Sequence, residues 1–179
     1  MSISIAATHV TPAAVITHTI ATVRGSQDGD VTVFHARTRD VRIALSWGGI
    51  LMTIYTADTA QGLLEAFSAA RTAMAAIPQE IPAPPPTAQT PCALTTLAID
   101  WTRRPTYAVL PQAGPNRIKT AIVHWVDLHT GPITWQIRDQ LGLTSTLDLL
   151  TRAHRTAIAV CLDGHQHDAD PTSADYTPH

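Results

Sequence analysis

The stretch Val41–Ile54, VRIALSWGGILMTI, determines the fold prediction. Apolar residues recur at every second position on both sides of Gly48-Gly49, which is the pattern of two half-buried strands joined by a tight turn. The alternation directs Ile43, Leu45 and Trp47 to a single face. The stretch therefore predicts an antiparallel hairpin with one face packed on a core.

A similar pattern recurs later in the chain. The number of residues that separates each segment from its match increases only at loops. This pattern indicates an ancient duplication, with Trp47 and Trp125 as equivalent core residues. In the second copy the hairpin connection is predicted to be longer, over Val126–Pro132. Val41–Trp47 aligns with Lys119–Trp125, Ile50–Thr56 with Ile133–Asp139, and Arg71–Ile77 with Arg155–Cys161.

Each copy is predicted to contain four strands and then a helix. The predicted strands are Ala14–Arg24, Val31–Arg37, Val41–Trp47 and Ile50–Thr56, then Ala93–Trp101, Thr106–Leu110, Arg117–Val126 and Ile133–Arg138, with a turn at Asp28-Gly29. The helices are predicted from Asp58 or Thr59 to Pro78 and over Thr144–Leu162. The expected fold is α+β, with two ββββα repeats, each an antiparallel sheet covered on one face by a helix.

Six prolines within residues 78–91 exclude a helix or a central strand there. This segment is predicted to be an extended linker, although a Pro-rich ligand for a partner's aromatic groove is the alternative. The predicted organisation is a first repeat at 1–77, the linker at 78–91, a second repeat at 92–162 and a flexible tail with histidines and aspartates at 163–179.

The composition limits the classes of function. The 179 residues are 45% hydrophobic and 15% charged, and the formal net charge of -2 excludes a polybasic mode of binding. Two cysteines, Cys92 and Cys161, form no recognisable disulfide or zinc framework. No signal peptide and no apolar run of bilayer length is present, so the expectation is a cytoplasmic protein without membrane contact.

Catalytic signatures are absent from the sequence. It contains no Gly-rich phosphate loop, no His-Glu-x-x-His motif, no nucleophile elbow and no Cys-x-x-Cys pair. The one metal-like group, His165–Asp170, lies in the predicted tail and is interpreted as a solvated segment. The chain is therefore expected to be non-enzymatic, with no cofactor and no metal.

The region after Trp101 suggests nucleic-acid contact. Arg103 and Arg104 follow this tryptophan, and no acidic residue occurs between Asp100 and Asp127. An aromatic ring beside guanidinium groups suits base stacking with phosphate contact, although a solvated hairpin end is the alternative. The candidate binding residues on this region and on the outward sheet faces are Arg42, Tyr55, Trp101, Arg103, Arg104, Lys119, His124 and Arg138.

The predicted tail is acidic, whereas the rest of the chain has a small positive net charge. Residues 163–179 hold four aspartates and no lysine or arginine, so the preceding residues carry a net charge of +2. An acidic tail of this kind could occupy a cationic surface until a nucleic acid displaces it. It could equally serve solubility alone.

Two resemblances accompany these patterns. The segment Asp58–Ala70 resembles part of a duplicated actinobacterial domain of unknown function known for a Ser-Pro-Asp-Tyr signature, with Ala60 in place of the family's proline and without the signature itself. This resemblance implies an actinobacterial setting and no activity. The predicted topology resembles that of Whirly, PUR and PC4-type proteins, which bind single-stranded nucleic acid on their sheets, but a Whirly-type lysine-rich signature is missing.

Two functional hypotheses follow. The first is a non-enzymatic module that binds single-stranded DNA or RNA across the sheet. The second is a protein–protein interaction or assembly module that acts through sheet edges or the Pro-rich linker. A homo-oligomer is compatible with either hypothesis.

Overall fold

The computed structural model describes residues 16–82 and 95–178, which contain eight strands and two α-helices. The elements follow the predicted order. The strands are β1 (Thr19–Val23), β2 (Gly29–Phe34), β3 (Arg42–Trp47), β4 (Ile50–Ile54), β5 (Leu97–Trp101), β6 (Tyr107–Pro115), β7 (Ile122–Thr130) and β8 (Ile133–Ile137). The helices are α1 (Ala57–Ala69), extended by a 3-10 helix at Ala70–Ala76, and α2 (Gln140–Val160), followed by a 3-10 turn at Gly164–Gln166.

The strands form two four-stranded sheets. Sheet 1 has the order β2-β3-β4-β5, and sheet 2 has the order β6-β7-β8-β1. In each sheet three strands from one half of the chain are antiparallel, and the fourth strand, from the other half, is parallel to its neighbour. The prediction of an α+β fold is thus confirmed, whereas the prediction of a separate four-stranded antiparallel sheet in each half is wrong.

The connections explain this exchange of strands. A parallel pair such as β4 and β5 needs a long crossover, and α1 lies within that crossover. The link between β1 and β2 passes from one sheet to the other, so these strands cannot pair. It turns at Gly25, whose φ of 68° favours glycine, and not at Asp28-Gly29 as predicted.

One hydrophobic core lies between the two sheets and the two helices. Its centre is aromatic: the rings of Trp47 in sheet 1 and Trp135 in sheet 2 stack with centroids 5.4 Å apart and planes at 9°. Phe67 of α1 contacts both indoles, with centroid distances of 6.2 and 5.5 Å. Residues from both halves of the chain therefore bury each other.

The register of β7 differs from the prediction. Trp47 pairs with Ile50 across Gly48-Gly49, and Thr130 pairs with Ile133 across an equally short Gly131-Pro132 connection. The position that matches Trp47 is therefore Thr130. Trp125 lies partly exposed on the face opposite to the buried Val126 and Leu128, so its predicted core position and the longer hairpin are both wrong.

Both helices begin at the end of a strand, before the predicted caps. Thr56 caps α1 by accepting a hydrogen bond from the Thr59 N–H at 3.1 Å. Asp139 caps α2 by accepting one from the Gly142 N–H at 2.8 Å, so that this helix begins at Gln140 and not at Thr144. A short polar side chain directly after a strand satisfies the first free N–H groups of the helix.

The segment after α2 packs on the helices. The carboxylate of Asp163 accepts hydrogen bonds from the Ala57 and Asp58 N–H groups at 3.0 and 3.1 Å, where the dipole of α1 favours negative charge. Further along, the Ala169 carbonyl accepts a bond from Gln61 at 2.9 Å. For the described residues, the prediction of a flexible tail is wrong.

The predicted linker is described only in part. Residues 83–91 lie outside the described ranges. Pro78 and Gln79 accept hydrogen bonds from the Gln140 and Leu141 N–H groups, each at 3.0 Å. The first residues of the linker thus pack against the start of α2.

Candidate nucleic-acid interface

Among residues 16–82 and 95–178, no helix covers the outer face of sheet 1. Inward residues of β3 such as Ile43 and Leu45 are fully buried, whereas Arg42 and Ser46 on the opposite face are exposed. This alternation follows directly from strand geometry. It leaves a surface of side chains from four neighbouring strands open to a ligand.

A groove of about 420 Å³ lies on this face. Phe34 and Arg42 are cross-strand partners, and Tyr55 directly follows β4. In the next row the small Ala44 pairs with Thr53, so a depression forms beside the larger side chains. We call this depression the sheet-1 groove; its lining residues are Phe34, His35, Arg42, Ala44, Thr53, Tyr55 and Asp100.

The sheet-1 groove contains charged groups of both signs. The Tyr55 hydroxyl donates a hydrogen bond to Asp100 Oδ1 at 3.2 Å, which orients this carboxylate at the β5 side. Arg42 takes part in no ion pair among residues 16–82 and 95–178. The groove therefore offers a guanidinium group for an anion and a carboxylate that can accept hydrogen bonds.

The aromatic side chains of the sheet-1 groove can stack with a planar ligand. Phe34 is 49% exposed although it is fully apolar, and Tyr55 lines the same depression. An exposed and a half-buried ring beside an arginine suit unpaired bases, because each base has a π-face and each nucleotide a phosphate.

A second cavity, of about 470 Å³, lies at the loop between β5 and β6. We call it the loop cavity; it is lined by Asp100–Thr106 together with Gly131 and Pro132 of the β7–β8 turn. Arg103 is exposed in it and forms no ion pair among the described residues. Asp100 lines both this cavity and the sheet-1 groove.

Two of the predicted binding residues are engaged inside the protein. Trp101 is 7% exposed, and its indole N–H points to Met52 Sδ at 3.3 Å. Its ring is therefore part of the core and is not a stacking platform. The reason is the pairing of β5 with β4, which the sequence pattern did not reveal.

Arg104 is the other internal residue. It forms ion pairs with Asp58, at 2.9 Å, and with the buried Glu65. Burial lowers the pKa of Arg104, but hydrogen bonds to Asp58 and Tyr176 and the charge of Glu65 outweigh it and raise this pKa. Because its charge is satisfied by carboxylates, Arg104 is not available to a phosphate, contrary to the prediction.

Glu65 is the centre of this internal network. Its carboxylate also accepts hydrogen bonds from the Tyr107 hydroxyl at 3.0 Å and the Tyr176 hydroxyl at 2.6 Å. Burial, together with the hydrogen bond to Glu65, raises the pKa of Tyr107 to about 12. The network connects α1, the β5–β6 loop and the C-terminal segment, and it has a structural role.

The remaining predicted residues lie elsewhere. Arg138 is on the outer face of sheet 2, with its Cζ 4.9 Å from the centroid of the Trp125 ring. Lys119, with a φ of 57°, is at the tip of the β6–β7 hairpin. His124 is exposed along the same hairpin, on the side of β7 that carries Val126 and Leu128, and not on the predicted outward face. The eight predicted residues do not form one surface.

Only part of the sheet-1 groove was predicted. Arg42 and Tyr55 were identified from the alternation of β3 and β4, but Phe34 and Asp100 were missed. Phe34 could have been found, because inward Val31 and Val33 place it outward. Asp100 could not, since its position depends on the parallel pairing of β5 with β4.

The acidic C-terminal segment does not cover either cavity at the described positions. Asp163 caps α1, and Asp170 accepts hydrogen bonds from Thr172 at 2.7 and 2.8 Å. The lining of the sheet-1 groove and of the loop cavity includes no residue beyond Pro132. Masking of a cationic surface by this segment is therefore not supported.

Comparison with family models, curated proteins and solved structures finds no match for this chain.

Within residues 16–82 and 95–178, no helix has the length and apolar character needed to span a membrane. No group of three or more His, Cys, Asp or Glu side chains in these ranges is arranged to hold a metal ion.

Proposed function

We propose that this chain is a non-enzymatic module that binds single-stranded nucleic acid in the sheet-1 groove. The observation that carries the proposal is the groove itself, where Phe34 and Tyr55 lie beside Arg42 on the outer face of sheet 1. Within residues 16–82 and 95–178, Arg42 forms no ion pair. Stacking supplies sequence-tolerant affinity, and the guanidinium group supplies a phosphate contact. Arg42 and Tyr55 were among the residues predicted from the sequence.

The expected binding depends more on stacking than on charge. The chain has one lysine and a net charge of -2. Each phosphate contact contributes a log-log salt slope of about -0.7 on single strands. With Arg42 as the cation of the groove, a shallow salt dependence is expected.

Fluorescence anisotropy with labelled single-stranded DNA and RNA tests this proposal. Phe34→Ala should weaken binding by about 1–3 kcal/mol with little change in the salt slope, because a stacking surface is lost. Arg42→Ala should weaken binding and flatten the slope by about 0.7, because a phosphate contact is lost. The matched control is Arg155→Ala, which removes the same charge from an exposed position on α2. Absence of binding at low salt, or equal effects of Arg42→Ala and Arg155→Ala, would contradict the proposal.

We also propose that the chain is an internal duplication, and the arrangement of the two halves supports this proposal. Thr19 of β1 pairs with Ile133, and Leu97 of β5 pairs with Ile50. The first strand of each half thus joins the last strand of the other half's meander in the same way. Under this correspondence, residues of β1 and β2 lie 78 positions before their equivalents in β5 and β6. Residues of β3 and β4 lie 83 positions before their equivalents in β7 and β8.

A second candidate function is protein–protein interaction through the β6–β7 hairpin. Ile118 at its tip is 74% exposed, and Ile122 is 62% exposed. β6 is an edge strand of sheet 2 within the described residues, and exposed edges with apolar side chains favour pairing with another chain. If this hairpin mediates assembly, the mass in solution should exceed that of a monomer and fall in an Ile118→Ser, Ile122→Ser variant. If the wild-type protein is monomeric in solution, assembly with a second copy of this chain is excluded.

A further inference from the structure

The sheet-1 groove and the loop cavity are neighbours at one edge of sheet 1. Asp100 lines both of them. It belongs to β5, which is the edge strand in the order β2-β3-β4-β5. Among the described residues, a ligand that leaves the groove at Asp100 therefore meets no further strand of sheet 1 and borders the cavity whose lining includes Arg103.

The distances suit a polynucleotide. Adjacent strands are about 4.8 Å apart, so the step from β3, which carries Arg42, to β5 covers roughly 10 Å. A stacked nucleic-acid strand advances about 3.4 Å per nucleotide. The step across the sheet-1 groove thus corresponds in length to about three stacked nucleotides, and the loop cavity borders the groove at Asp100.

The charges alternate along this path. Arg42 and Arg103 are both exposed and form no ion pair among the described residues, whereas the exposed Asp100 between them lines both cavities. A carboxylate repels phosphate but accepts hydrogen bonds from base amino groups and sugar hydroxyls. The phosphates of a bound strand would therefore lie at the two arginines, with a base or sugar edge at Asp100. Arg104 cannot take the role of Arg103, because Asp58 and Glu65 already pair with it.

From this arrangement we infer that the loop cavity is a second subsite for the same nucleic-acid strand, entered across Asp100 and served by Arg103. The inference rests on the proposed function of the sheet-1 groove. It assigns the ligand as a polynucleotide and not a mononucleotide. A short strand fills the groove alone, and a longer strand reaches both arginines.

The test compares two lengths of labelled single strand on the full chain, one of roughly three and one of roughly eight nucleotides. Arg103→Ala should weaken binding of the long strand about five-fold and flatten its salt slope by about 0.7, since one phosphate contact is lost. The same variant should bind the short strand as the wild type does. Arg42→Ala should weaken both, and Arg155→Ala should change neither.

The outcomes separate the two proposals. If Arg103→Ala leaves the affinity for the long strand unchanged while Arg42→Ala weakens it, the second subsite is refuted and the proposed function of the groove stands. If Arg103→Ala weakens short and long strands equally, the assignment of the groove as the site of the short strand is overturned. If neither variant affects either strand, both proposals fail.

Discussion

Asp139 shows how one buried carboxylate connects three segments of the chain. It is fully buried and accepts hydrogen bonds from the N–H groups of Gly142, Gly25 and Ile81 at 2.8 to 3.0 Å. These donors belong to α2, the β1–β2 link and the start of the Pro-rich linker. The residue therefore stabilises the position of all three segments, and not only the end of a helix.

Replacing Asp139 by Ala should lower the free energy of unfolding by roughly 2–3 kcal/mol, because three backbone N–H groups lose a charged acceptor. The change is measured as a shift of the urea midpoint at constant slope. Asp148→Ala, at an exposed position on the same helix, should stay within about 0.5 kcal/mol of the wild type. Similar losses in the two variants would contradict the role of Asp139.

His154 should make stability depend on pH. Its side chain is 2% exposed, and Nε2 lies 2.8 Å from the His167 carbonyl oxygen. Burial lowers the pKa of His154, although the hydrogen bond to His167 and the charges of Asp170 and Asp168 partly oppose this. Because the unfolded state then binds more protons, the free energy of unfolding should fall as the pH decreases below about 6.5.

The measurement is urea unfolding between about pH 5 and pH 7. His154→Gln retains a donor for the His167 carbonyl but cannot be protonated, so this variant should lose most of the pH dependence. His165→Gln, at an exposed position, should retain it. An undiminished pH dependence in His154→Gln would show that another group is responsible.

At the scale of elements, β7 illustrates how a strand can carry two competing patterns. Val123 and Trp125 suggest one inward face, whereas Val126 and Leu128 suggest the other. A shift by one residue exchanges the faces of a strand. The packing of Trp135 against Trp47 and Phe67 favours the second choice.

The two tryptophans of this hairpin should therefore differ in their contribution to stability. Trp135→Ala should cost about 3–5 kcal/mol, because a fully buried indole is lost from the aromatic centre of the core. Trp125→Ala should cost about 1 kcal/mol or less, since this ring is partly exposed and has the guanidinium group of Arg138 over one face. Denaturant unfolding of the two variants measures both values. A larger loss for Trp125→Ala would restore the register predicted from the sequence.

At the scale of the whole molecule, the exchange of strands makes the two halves interdependent. Sheet 1 contains β5 from the second half, and sheet 2 contains β1 from the first half. Both helices and both sheets contribute to one core. Neither half can complete its sheet or cover its apolar face alone.

Residues 1–82 and 83–179, expressed as separate chains, should each lack a cooperative thermal transition, because each exposes the apolar face that the other half covers. Mixing the two should restore helical and sheet signals in circular dichroism together with a single transition. The intact chain is the control. A cooperative transition in either half alone would mean that the repeats are independent domains.

The order and type of the elements could be predicted from the sequence alone, because they depend on local periodicity. Alternation in Val41–Ile54 and the apolar stripe of Leu63 and Phe67 are visible in any short window. The α+β class and the outward positions of Arg42 and Tyr55 follow from those local patterns. Tyr55 and Arg42 are two of the seven residues that line the sheet-1 groove.

Only the tertiary structure decided which strands pair and which polar groups satisfy one another. The parallel pairing of β5 with β4 buried Trp101 and brought Asp100 to the sheet-1 groove. The contact between the β5–β6 loop and α1 paired Arg104 with Asp58 and Glu65. These contacts join residues about 40 or more positions apart, so no local pattern encodes them. Their stability comes from a core that exists only when both halves of the chain are folded together.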